Sequence, residues 1–73
     1  MFVSMGKHSI RNVENNGELI TLEDGSRLRV VLMDKSKSMK WEALDEVTVS
    51  SGFVGQYRMT HVARKETVEA SPL

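Results

Sequence analysis

The sequence predicts an all-β fold, a small antiparallel, partly open barrel of five or six short strands. Three observations predict it. Runs rich in Val, Ile, Thr and Leu recur at short intervals, strong turn signals separate them, and no stretch has the spacing of a stable amphipathic helix. The chain of 73 residues is one domain, near the size at which a single core only just offsets chain entropy, so each large apolar residue is a candidate for that core.

The organising element is the hairpin from Glu18 to Asp34, in which two β-rich runs flank Asp24-Gly25. Ile20, Leu22, Leu28, Val30 and Leu32 all lie at even positions and are expected to share the inner face. A two-residue loop at Asp24-Gly25 pairs Leu22 with Arg27 and mixes the faces. A three-residue loop, Glu23-Asp24-Gly25, pairs Leu22 with Ser26 and Ile20 with Leu28, with Gly25 in the left-handed conformation. The second register is therefore expected.

The remaining elements follow from the same rules. Residues 1–6 read as a flexible N-terminus, residues 7–70 as the barrel and residues 71–73 as a tail. In the first strand, Lys7 to Glu14, Ile10 and Val13 have opposite parity, which requires a bulge near Arg11-Asn12. Asn16-Gly17 signals a tight hairpin turn that pairs Asn15 with Glu18 and Val13 with Ile20. Lys35 to Lys40 is a polar loop with room for one helical turn. Trp41 is placed to plug an end of the core. Strands are expected at Val47–Ser50 and Gln56–Val62, pairing Tyr57 with Val49 and Met59 with Val47. A short sixth strand, Glu66 to Ala70, follows a turn at Ala63-Arg64-Lys65, and Pro72 is expected to end the pairing. This pattern corresponds to a barrel of OB or SH3-like type.

Ten basic and ten acidic residues give a net charge near zero, which speaks against binding nucleic acid by phosphate neutralisation alone. There is no cysteine, and thus neither a disulfide framework nor a thiolate metal site. No apolar run reaches the length of a membrane span or a signal-peptide core, so no membrane partner is expected; the compartment stays open, since absent cysteine suits cytosol and periplasm alike, with the cytoplasm slightly favoured.

Ile20-Thr-Leu-Glu-Asp-Gly-Ser26, followed by Trp41, Asp45-Glu-Val-Thr-Val49 and Tyr57-Arg-Met-Thr60, resembles a family of small bacterial β-barrel proteins without an assigned activity. The resemblance covers roughly residues 18 to 70, and its motifs are structural. Leu28 stands where that family commonly has an aromatic and Leu44 where it has a glycine, so the turn before Val47 is expected to be built differently. A fainter likeness, through Leu22-Glu-Asp-Gly25 and Asp45-Glu-Val-Thr-Val49, is to S1-type OB domains, and implies ribosome or RNA binding.

Neither His8 nor His61 has further ligands or an orienting partner at recognisable spacing, so no metal, cofactor or catalytic site is expected and the chain does not read as an enzyme. Asp24, Asp34 and Asp45 sit at turns or strand ends, where aspartate accepts backbone N–H bonds. Gly52-Phe-Val-Gly55 lacks the lysine and helix of a phosphate-binding loop. The outward face of the hairpin carries Leu19, Val31 and Met33, which with Phe53 form a candidate protein-contact patch for self-association or a protein partner. The alternative is binding of RNA or other single-stranded nucleic acid through Arg27, Arg29 and Arg58, which share the outward parity. Arg64 and Lys65 add to that basic set, and Phe53 would serve there as a stacking platform.

Overall fold

A computed structural model describes residues 3–52 and 54–73. Six strands form one closed antiparallel barrel: β1 (Gly6–Glu14), β2 (Leu19–Leu22), β3 (Arg27–Val30), β4 (Glu46–Ser51), β5 (Tyr57–His61) and β6 (Glu66–Pro72). Around the barrel the order is β1-β2-β3-β6-β5-β4, with β4 bonded back to β1. The fold is thus two three-stranded meanders joined along two seams, β1 with β4 and β3 with β6. The expected partly open barrel is closed, which leaves no strand with a free edge.

Both hairpin registers follow the turn chemistry. Ile20 lies opposite Leu28, and Gly25, at φ 91°, donates its N–H to the Leu22 carbonyl at 3.0 Å. The first hairpin pairs Val13 with Ile20. Its turn holds three consecutive left-handed residues, Asn15, Asn16 and Gly17, an arrangement that asparagine and glycine tolerate best. A bulge between Ile10 and Asn12 shifts the β1 register. It lets His8, Ile10 and then Val13 turn inward despite their unequal parity.

The core comprises Ile10, Ile20, Leu22, Leu28, Val30, Val47, Val49, Met59, Val68 and Ala70 from the strands, closed by Trp41 and Val3. Trp41 stacks near His61 at one end of β5, while the Val3 N–H reaches the Tyr57 hydroxyl at the other. Burial of Val3 and the start of β1 at Gly6 show that residues 3–6 belong to the fold rather than to a flexible N-terminus.

Three strand-level expectations are corrected. Leu32 is 81% exposed, because β3 ends at Val30 and the chain turns into a 3-10 helix, Leu32–Asp34, where strand parity no longer applies. A single turn of α-helix, α1 (Lys35–Ser38), follows. The β4–β5 register is offset by two residues from the expected one: Val49 faces Met59, Val47 faces His61, and Tyr57 faces Ser51. Pro72 lies opposite Leu28 inside β6, and Leu73 donates its N–H to the Arg27 carbonyl, so pairing continues past Ala70 and takes in part of the expected tail.

The connection from β3 to β4 is pinned by buried Ser38, whose hydroxyl donates to the Gly17 carbonyl at 2.7 Å. A Cβ at Gly17 would overlap the backbone nitrogen and Cα of Met39. One at Gly25 would meet nothing within 4 Å. Both glycines hold positive φ, so the pair separates conformational strain from collision. Gly25→Ala is expected to lower stability by about 1–2 kcal/mol and Gly17→Ala by about 3 kcal/mol or more. Urea unfolding of the two variants checks this, and equal losses would contradict the close approach at Gly17.

Candidate functional site

The sequence-predicted contact residues do not form one continuous outward face. Leu19 lies on β2 opposite Arg29 and is half-buried. Val31 is also half-buried, just beyond β3, where its N–H donates to the Glu69 carbonyl. Met33 stands in the 3-10 turn at 87% exposure, beside Leu32. Phe53 lies outside the described residues. Val31 and Leu32 line a groove of about 400 Å³ whose rim is formed by Glu18, Arg29, Lys35 and Ser71. The Glu18 carboxylate faces Arg29 at 3.5 Å and Lys35 at 3.9 Å, so two cations share one anion there.

Later in the same connection, just before β4, the turn carries another exposed apolar residue. Leu44 is 88% exposed and holds φ 76°, backbone that glycine favours. Its N–H donates to the Ile10 carbonyl at 2.8 Å, which fixes the turn in that conformation. The neighbouring turn residues Glu42 and Asp45 are acidic, and Asp45 accepts the Glu42 N–H at 2.9 Å.

The three arginines of the nucleic-acid alternative are exposed, as their parity requires. Each lies against a carboxylate: Arg27 on Glu14 at 3.3 Å, Arg29 on Glu18, and Arg58 on Glu69 at 2.7 Å. Their charge is therefore balanced locally.

Both histidines are buried and both meet carboxylates, a juxtaposition that sequence spacing did not reveal. His8 is 7% exposed. Its Nε2–H donates to the Ser4 carbonyl at 2.8 Å, and Nδ1 lies 2.9 and 3.1 Å from the two Glu23 oxygens. Burial disfavours the charged ring, but the Ser4 carbonyl and the Glu23 and Asp24 carboxylates together raise its pKa above the ordinary 6.5. Glu23 is slightly desolvated, yet the Ser9 N–H and His8 hold it below its usual range. The Ser26 N–H does the same for Asp24. Among the described residues, His8, Glu23 and Asp24 form the one group able to offer three metal-ligating atoms within 4.8 Å of one another. His8 and Glu23 border a cleft of about 240 Å³ lined also by Lys7, Ser9, Leu44 and Glu46.

His61 is arranged differently. Its Nε2 lies 2.8 Å from Asp45 Oδ2, while Nδ1 accepts the Arg64 N–H at 3.1 Å. One acceptor and one donor suit a ring with its proton on Nε2. Because Nδ1 is engaged by backbone, the Asp45–His61 pair has no free base atom to present to a substrate. The pair instead helps close the barrel end with Trp41, whose Nε1–H donates to Glu66 at 3.0 Å. All three turn aspartates accept backbone N–H groups: Asp24 from Ser26, Asp34 from Glu69 and Asp45 from Glu42.

The His61 hydrogen bond, followed by the Glu42 N–H, holds Asp45 below its ordinary pKa of 3.8. A lowered folded-state pKa contributes stability that is present above the unfolded value and lost as pH falls through the folded one. Asp45→Asn is therefore expected to lower stability at neutral pH and to flatten its dependence on pH below about 4. Chemical unfolding across an acid pH series checks this, with an unchanged slope contradicting it. No family model, curated protein or solved structure matches the chain.

Proposed function

We propose that the protein is a non-enzymatic interaction module, a small barrel of OB or SH3-like kind that associates with a second copy of itself. The observation that carries this reading is Leu44. A leucine held at φ 76° costs about 1–2 kcal/mol relative to glycine, and at 88% exposure it gains almost no internal packing in return. The backbone is held there by the Ile10 carbonyl, but the side chain has no packing of its own, which is what a contact residue leaves behind in an isolated chain.

The chain also carries a surface of matching chemistry. The Val31–Leu32 groove is apolar at its base and has Arg29 and Lys35 on its rim, against the single carboxylate of Glu18. Leu44 is an apolar knob flanked by the acidic Glu42 and Asp45. Seating one copy's knob in another copy's groove would bury Leu44 and Leu32 together and set the Glu42 carboxylate beside a rim where two cations share one anion, a single positive charge in excess. Met33, adjacent to the groove, would extend the buried area. Nucleic-acid binding through Arg27, Arg29 and Arg58 draws less support, because each guanidinium already faces a carboxylate of its own chain.

Made reciprocally, the two knob-and-groove contacts close a two-fold dimer; made singly, they add copies head to tail unless the rotation closes a ring. Sedimentation velocity over a concentration series is expected to give a weight-average mass that rises with concentration. Leu32→Lys and Leu44→Lys are each expected to return the chain to monomer without changing its circular dichroism spectrum. A strict monomer at about 1 mM, a concentration that detects even weak contacts, would rule the reading out.

A second outcome concerns Leu44 itself. In dilute solution Leu44→Gly is expected to stabilise the monomer by about 0.5–1 kcal/mol, the relief of left-handed strain exceeding the added chain entropy. Urea unfolding measures it, and a net loss would mean that the leucine is held by packing within the chain.

A further inference from the structure

We infer that His8, Glu23 and Asp24 form a binding site for a divalent transition-metal ion of the zinc class. The inference is independent of self-association. It rests on the way each of the three side chains is held: one polar atom is fixed by a backbone group and the other is directed to a common point. His8 Nε2–H is held by the Ser4 carbonyl, leaving Nδ1. Glu23 Oε1 accepts the Ser9 N–H at 2.7 Å, leaving Oε2. Asp24 Oδ1 accepts the Ser26 N–H at 2.9 Å, leaving Oδ2.

These three remaining atoms lie within 4.8 Å of one another, with Nδ1 and Glu23 Oε2 sharing the hydrogen bond that an ion would replace. Nδ1 lies 2.9 Å from Glu23 Oε2 and 4.0 Å from Asp24 Oδ2. Two ligands each about 2.0–2.2 Å from a tetrahedral zinc ion stand about 3.4 Å apart, so small adjustments suffice to accommodate the ion. A buried imidazole whose remote N–H is tied to a backbone carbonyl has its tautomer and ring plane fixed, which is the outer-shell arrangement that metal-binding histidines use. His8 cannot readily swing away, being enclosed between the Ser4 segment and the Glu23 turn.

Binding replaces a proton. The ion takes the Nδ1 lone pair, the proton shared between Nδ1 and Glu23 passes to solvent, and the two carboxylates supply two negative charges. One nitrogen and two carboxylate oxygens favour zinc-class ions over magnesium or calcium, which take all-oxygen shells. The adjacent cleft leaves remaining coordination positions to water.

The test uses the full chain, stripped with chelator and titrated with Zn²⁺ at about pH 7.5, by calorimetry and by NMR of the histidine ring nitrogens. One ion per chain is expected, with a shift of His8 Nδ1, an unchanged His61 and a rise in Tm at saturation. Glu23→Gln and Asp24→Asn each keep the acceptor used by Ser9 or Ser26 while removing the charge. Each is expected to weaken binding by about tenfold or more. No binding, shifts confined to His61, an affinity in both variants equal to that of the unmodified chain, or Mg²⁺ binding as tightly as Zn²⁺ would overturn the assignment. The His8 resonances of the unmodified chain decide the matter even if a variant fails to fold.

Discussion

Two rows of backbone hydrogen bonds convert a pair of three-stranded meanders into a barrel: β1 with β4, from Gly6 opposite Val49 to Ser9 opposite Glu46, and β3 with β6, from Leu28 opposite Pro72 to Val30 opposite Ala70. Neither meander alone could cover its apolar face. A sheet of three short strands leaves one side in water, whereas closure directs Ile10, Ile20, Leu28, Val47, Met59 and Val68 into one shared interior. The polar fittings of the molecule depend on the same closure. His8 lies opposite Val47, which lies opposite His61, so the two rings share a row across three strands. There they are buried, and a buried imidazole needs its hydrogen bonds satisfied within the chain.

How each ring is satisfied determines its character. His8 has acceptors on both sides, from Ser4 and Glu23, and a ring so placed attracts a positive charge at Nδ1. His61 has Asp45 on one side and the Arg64 N–H on the other, and needs no charge to complete its bonding. The two residues occupy equivalent positions on inward strand faces but perform different work. One joins the N-terminal segment to the β2–β3 turn; the other ties Asp45 to the end of β5 beneath Trp41.

What the residues disclosed in advance was local. Gly25 and Asn16-Gly17 each name a turn whose geometry admits few residues, and alternation then assigns the rest of each hairpin; the bulge at Arg11-Asn12 was visible as a clash of parity between Ile10 and Val13. The β4–β5 register was not legible, because a slip of two residues preserves parity and alternation cannot detect it. Its true value sets His61 opposite Val47 and Tyr57 opposite Ser51 without turning either to the other face. Leu32 was misread for a related reason: alternation was extended past Val30, where β3 ends and the still apolar chain enters a 3-10 turn. The carboxylates around His8 were invisible for want of proximity in sequence. They meet it only because Ile10 pairs with Leu22, which draws Ser9 and His8 alongside the Glu23 turn.

The division of the barrel into meanders and seams also orders its assembly in time. Hairpins β1–β2, β2–β3, β4–β5 and β5–β6 close short loops and form in microseconds. Both seams join residues far apart along the chain and must first meet the entropy of a long loop. Pairing along the seams therefore carries the larger loop-closure cost, and the 3-10 turn and α1 lie within the stretch of chain that must be closed.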